Sequence, residues 1–146
     1  MTRRAVLLAV GLLTVLLTAC GSPAPRSTGP PPGADNTSPT FTISRSYTQL
    51  AHECTARQTV HITGSTDIIQ LVEPCRAVTV TGTTNQVLIQ STGTLTVGGR
   101  NQHITVQKVT SGAIQLGGRD NELVCGSRVE VDDTGSGNIS SGCAGA

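Results

Sequence analysis

The side chains in this chain with potential for chemistry are its three histidines, five cysteines, nine carboxylates and a pair of repeated arginines. Of the histidines, His61 and His103 fall in alternating segments that turn them outward on different strands, and neither has a Cys or carboxylate close by in sequence. Both read as surface residues; His52 is the third histidine. The run Asp132-Asp133-Thr134-Gly135-Ser136-Gly137-Asn138 offers the hard oxygens that Ca²⁺ prefers. It lacks the alternating acidic positions and closing Glu of a calcium loop, so it reads as a solvated turn. Gly98-Gly99-Arg100 and Gly117-Gly118-Arg119 repeat at one interval, which would set two guanidinium groups side by side over an anion. With Asp120 adjoining, they read as a plain surface pair. Cys54, Cys75, Cys125 and Cys143 lack the close C-x-x-C pairs of a zinc site. The carboxylates are scattered, without the clustering that glycan cleavage needs. No catalytic residue, metal site or cofactor is assigned, and the chain is expected not to be an enzyme.

What positions these residues follows from composition and pattern. A chain of 146 residues is one domain. Aromatics are 1 %, Trp is absent, and Phe41 and Tyr47 stand alone, which removes a stacking platform for bases or sugars. Lys108 is the single lysine and the net charge is +1, so nucleic acid is not an expected partner. Thr, with 22 copies, and Gly, with 17, are poor helix formers, and a helical bundle is excluded on that ground.

Residues 1–19 read as a secretory signal peptide: Arg3 and Arg4, then an apolar run from Ala5 to Leu17 that is too short for a stable span. Leu17-Thr18-Ala19-Cys20 resembles a bacterial lipobox. The resemblance implies cleavage before Cys20 and a diacylglyceryl thioether on it, carrying palmitate-type chains. The mature protein would then be anchored to the cell membrane on its extracytoplasmic side without spanning it. Residues 20–40 hold this Cys and a tether with six of the seven prolines. Such a stretch cannot bury a core and extends to at most roughly 70 Å. The sequons at Asn36 and Asn138 are read as accidental in a bacterial chain.

Residues 41–146 form the folded domain, and from Val60 onward they repeat. Apolar residues come in pairs with one residue between: Val60/Ile62, Val78/Val80, Leu95/Val97, Ile114/Leu116 and Val129/Val131. A second set follows at Ile69/Leu71, Val87/Ile89, Ile104/Val106 and Leu123/Cys125. Ile62 to Ile69, Val80 to Val87, Val97 to Ile104 and Leu116 to Leu123 are each seven residues, while first pairs start 18, 17, 19 and 15 apart. Alternation is strand periodicity, and a repeat near this length is the mark of a solenoid. Gly64, Gly82, Gly99 and Gly118 recur in the intervening turn, followed three residues on by Asp67, Asn85, Gln102 and Asn121. Gly and Asn suit positive φ, and stacked amides can bond along the stack as a ladder. The predicted fold is all-β: a small two-faced parallel β-solenoid of about five coils of about 17 residues, some 24 Å long at ~4.8 Å per coil. Its interior is too thin for a large aromatic. An antiparallel sandwich or barrel would not need the constant spacing.

Outside the cytoplasm the four remaining cysteines are expected to pair. Cys54 to Cys75 is 21 residues and Cys125 to Cys143 is 18, about one coil each, so each pair sits near 5 Å apart. Cys54 to Cys125 would cross about four coils, beyond reach. Disulfides Cys54–Cys75 and Cys125–Cys143 would therefore staple the two ends.

With the tether, the end cysteines and the repeated Val-x-Val-x-Gly-x-x-Asn unit in view, residues 50–143 resemble an actinobacterial, mycobacterial-type family of small secreted or lipid-anchored β-solenoids. That family carries a domain of unknown function and a Cys pair flanking its first coil, as Cys54 and Cys75 flank Val60-His61-Ile62-Thr63-Gly64 here. The resemblance implies fold and compartment and no catalytic residues. Asp67 departs from the pattern's first Asn.

Three function classes follow. The first is a membrane-tethered envelope lipoprotein that binds or spaces an envelope protein or glycan without catalysis. The second is a cell-wall glycan-acting enzyme on a β-helix scaffold, and the third is a flat-surface binder of ice or mineral type. Outward positions of the first strand are small and uncharged, and Thr63, Thr79, Thr81, Thr94 and Thr96 mark a possible binding face. A flat array of short side chains loses little entropy on contact. The first class is the expectation taken forward.

Overall fold

The computed structural model describes Thr40–Ala144. The signal peptide, Cys20 and the tether up to residue 39 lie outside the described residues. Every strand in the described part pairs in parallel. The strands are β1 (Thr40–Ile43), β2 (Gln49–Glu53), β3 (Thr59–Ile62), β4 (Ile68–Val80) and β5 (Gln86–Val97). They continue with β6 (His103–Val109), β7 (Ile114–Leu116), β8 (Glu122–Cys125), β9 (Val131–Asp133) and β10 (Ile139–Ser141). The chain is a β-solenoid stapled near both ends.

Stacking in register makes the core a set of columns. Phe41, Val60, Val78, Leu95, Ile114 and Val131 form one on the first face, with Ile43, Ile62, Val80, Val97 and Leu116 beside it. The second face contributes Leu50, Ile69, Val87, Ile104 and Leu123, and His52, Leu71, Ile89, Val106 and Cys125. Nearly all are buried, because alternate residues of each strand point to the same side. The first column has six members, one coil more than the sequence spacing predicts. Phe41 and Ile43 supply the extra coil, and Phe41 is 2 % exposed, stacked on the His52 ring at 3.9 Å between centroids. The thin interior thus admits an aromatic in the first described coil.

The last coil is also offset from the predicted pairing. Val131, not Val129, stands over Ile114, and Asp133 takes the position over Leu116. Val129 packs against the edge of the core from the connecting loop. The true interval from Ile114 to Val131 is 17 residues, so the short spacing of 15 disappears. Strands also run further than two short pieces per coil. β4 and β5 carry the chain from the second face of one coil round to the first face of the next, with a register shift between Leu71 and Pro74.

The opposite corner is a tight turn built the same way in each coil. Gly64, Gly82, Gly99, Gly118 and Gly135 occupy equivalent places, and a Cβ on any of them would strike a backbone carbonyl group of the coil before. Arg45 stands at this place in the first described coil. Space requires glycine at all five places, and Gly99 and Gly118 also hold positive φ, both at 74°. Positive φ recurs in every coil two residues later, on Tyr47, Thr66, Thr84, Asn101, Asp120 and Gly137, with φ from 53° to 68°. Next comes a buried ladder. The backbone N–H of Thr48 donates to Asp67 Oδ1 (2.7 Å), Asp67 N–H to Asn85 Oδ1 (2.9 Å), and Asn85 N–H to Gln102 Oε1 (3.2 Å). Gln102 N–H donates to Asn121 Oδ1 and Asn121 N–H to Asn138 Oδ1, both at 2.9 Å. The amide nitrogens complete the motif: Asn85 Nδ2 donates to the Gly64 carbonyl at 3.0 Å and Gln102 Nε2 to that of Gly82. Each ladder side chain therefore satisfies the turn of the preceding coil, which a buried corner requires.

Disulfides join Cys54 to Cys75 and Cys125 to Cys143, each with 5.0 Å between Cα atoms. Both pairs span one coil, as the spacing predicts.

Candidate functional site

The Thr-bearing face is set by the outward positions of β3, the end of β4 and the end of β5. Thr59, Ala77 and Thr94 form one column, and His61, Thr79 and Thr96 the next. Thr63 and Thr81 follow at the turn side. Thr63, Thr81 and Thr94 are exposed, while Thr79 and Thr96 are half-buried by their neighbours. Among the described residues, the hydroxyls of Thr79, Thr81, Thr94 and Thr96 donate to no protein group, whereas Thr63 Oγ1 reaches the Ile43 carbonyl at 3.5 Å. The sheet beneath is filled by Val78, Val80, Leu95 and Val97, so the hydroxyls sit on a stiff floor. The column continues above Thr96 with Gln115 and Asp132, and below Thr79 with His61 and Thr42. The small uncharged patch is therefore confined to the middle coils.

The second face carries longer groups. Gln49, Ile68, Gln86, His103, Glu122 and Ile139 stack in one outward column, and Gln70, Leu88, Thr105 and Val124 in another. Ile68, Leu88 and Ile139 are exposed but separated by polar neighbours. His103 Nδ1 and Glu122 Oε2 lie 2.9 Å apart on this face, both half-exposed. Sequence reading gave His103 no carboxylate neighbour, because the partner is one coil away. The signal for it is register: His103 and Glu122 each stand six residues after the inward Val97 and Leu116. His52 is neither on the surface nor free: it is 7 % exposed and its Nε2 is hydrogen-bonded with Gln58 Oε1 at 2.8 Å. His61 is half-buried at the edge of the Thr patch.

These histidines lie on separate parts of the rod, and among the described residues no three of His, Cys, Asp and Glu gather to hold a metal. In the acidic run, Asp133 Oδ1 accepts from the Gly135 N–H at 2.9 Å and from Asn138 Nδ2 at 2.8 Å. That carboxylate closes the final turn, and Asn138 is the last rung of the ladder. Arg100 and Arg119 are bridge partners in a parallel stack at the corner, continuing a line through Ser65, Thr83 and Ser136. What this arrangement can do chemically is hold a partner by hydroxyl and guanidinium donors along one side and one corner of a rigid sheet.

Residues 59–108, from the start of β3 nearly to the end of β6, match a family described as "Protein of unknown function (DUF3060)". The match covers the central coils, including Thr63, Thr79, Thr81, Thr94 and Thr96. No curated protein and no solved structure matches the chain.

Proposed function

We propose that this chain is an extracytoplasmic envelope lipoprotein of actinobacterial type, tethered to the cell membrane through lipid on Cys20. It binds or spaces an envelope protein or glycan and does no catalysis. The observation that carries the reading is the in-register patch at Thr79, Thr94 and Thr96, whose hydroxyls are unengaged on a packed sheet. Short side chains on a stiff backbone lose little conformational entropy when a partner closes over them. They also let another backbone or a sugar ring approach closely, and solenoids present such extended surfaces for binding. A Pro-rich segment after the lipid, reaching up to roughly 70 Å, would let that face clear the bilayer.

Incubating the purified chain with cell-wall glycan fragments tests the reading against a glycan-acting enzyme. Fragment lengths unchanged after long incubation fit a binding module. New reducing ends or unsaturated products would make the protein an enzyme and discard the proposal.

A further inference from the structure

We infer that Arg100 and Arg119 form an oxyanion site at the glycine corner of the solenoid, matched to a phosphate group. The two residues are direct partners in the parallel stack and both are exposed. Adjoining strands lie about 4.8 Å apart, so two positively charged side chains leave the corner one strand spacing apart. Like charges directly opposite across a sheet repel. Among the described residues no carboxylate forms an ion pair with either arginine. The ion pair of His103 with Glu122 lies on the second face. Asp120 follows Arg119 in the chain, but its left-handed backbone (φ 55°) carries Oδ1 against Gly137 of the next coil.

The surroundings suit an anion. Thr83 precedes Arg100 in the same line and Ser136 follows Arg119, so a hydroxyl flanks the guanidinium pair at each end. An open depression of about 570 Å³ is lined by Thr83, Gly99, Arg100, Gly118, Arg119 and Ser136. Gly99 and Gly118 put no side chain between ligand and backbone. The arginines also stand on fixed main chain: Thr84 N–H donates to the Arg100 carbonyl at 3.1 Å, Asn101 N–H to that of Arg119 at 3.2 Å, and Arg119 N–H to that of Gly99 at 2.9 Å. A guanidinium offers a planar fork of donors that fits two oxygens of one anion. A carboxylate has only the two oxygens that one fork uses. A phosphate group has further oxygens for the second fork and a hydroxyl. The phosphate could be free or a terminal monoester, as in a lipid headgroup that ends in phosphate; a diester keeps only two unesterified oxygens, as a carboxylate does. The site goes beyond the Thr-face reading and stands without it.

The test is an NMR titration of the purified full-length chain, following the Arg100 and Arg119 backbone and side-chain N–H signals. The probes are inorganic phosphate, glycerol 3-phosphate and, as a carboxylate, acetate. Saturable shifts with phosphate or the monoester are expected, with dissociation constants of about millimolar order. Saturation by inorganic phosphate alone would mean a free-phosphate site, and comparable binding of glycerol 3-phosphate would mean a site for a terminal phosphate, as on a headgroup. Arg100→Gln with Arg119→Gln should weaken binding at least about tenfold. Arg57→Gln with Arg128→Gln makes the same charge change elsewhere and should weaken it less than about twofold. Absence of saturation with both phosphate probes, equal loss in the two double variants, or acetate binding as tightly as phosphate would overturn the inference.

Discussion

Replacing Asp67 with Asn should stabilise the solenoid. Asp67 is the acidic member of a ladder otherwise made of amides, and it is 1 % exposed. Its Oδ1 accepts from the Thr48 N–H, as an amide oxygen would. Its Oδ2 occupies the place where Asn85 and Gln102 carry a donor nitrogen, and it is buried with no hydrogen-bond partner. Beside it the preceding coil presents the Arg45 carbonyl oxygen, equivalent to the Gly64 carbonyl that Asn85 Nδ2 reaches. Asn at residue 67 keeps the rung and turns an orphaned acceptor into a donor facing an acceptor. Leaving a buried polar group unsatisfied costs about 1–3 kcal/mol, so the gain should be about 1–2 kcal/mol. For a domain of this size that is a rise of roughly 4–10 °C in Tm. The assay is guanidinium unfolding with disulfides intact: the midpoint should rise with the slope unchanged. The mirror substitution Asn85→Asp should lower it by a similar amount, since it removes the donor to the Gly64 carbonyl. An Asp67→Asn variant no more stable than the parent, alongside a neutral Asn85→Asp, would refute the ladder as a source of stability.

Other substitutions probe the rest of the account. Thr84 holds φ 58°, costly for a β-branched residue, so Thr84→Gly should add about 1 kcal/mol, read by thermal unfolding. Gly82→Ala places a methyl against the Gly64 carbonyl and should cost more than about 2 kcal/mol or abolish folding, seen as loss of soluble protein. Reducing either disulfide should cost about 3 kcal/mol, and non-reducing peptide mapping should link Cys54 to Cys75 and Cys125 to Cys143. Cys20→Ala should move the protein from the membrane fraction to the medium or block its processing; a variant still processed and membrane-bound would discard the lipid anchor.

The central coils were legible because one physical demand recurs in them. An inward pair, a glycine where a coil lies beneath, and an amide rung appear together at Val78-Val80-Gly82-Asn85 and again at Leu95-Val97-Gly99-Gln102. The end coils escape that demand. The first lacks the glycine and the amide, and has Arg45 and Thr48 at those places, so its inward pair Phe41/Ile43 carries no turn signature. In the last described coil Asp133 stands exposed in an inward column and Val129 mimics a core position. Gly135 and Asn138 mark its true register, a signal that polar spacing carries and apolar spacing does not. The Thr columns followed directly from strand alternation. The His103–Glu122 contact and the Arg100–Arg119 stack depend on which residues lie one coil apart, and with coil lengths of 17 to 19 residues that needs the register as well as the period.

The face is tested most directly by comparing two double variants of the full-length chain in cross-linking to envelope components on intact cells. Thr79→Arg with Thr96→Arg puts bulk and charge on adjoining members of one column of the patch. Gln70→Arg with Gln107→Arg makes the same change on exposed residues away from the Thr patch. The account predicts that the Thr variant keeps its fold and loses the cross-linked species, while the Gln variant retains them. Equal yields from both variants would contradict it.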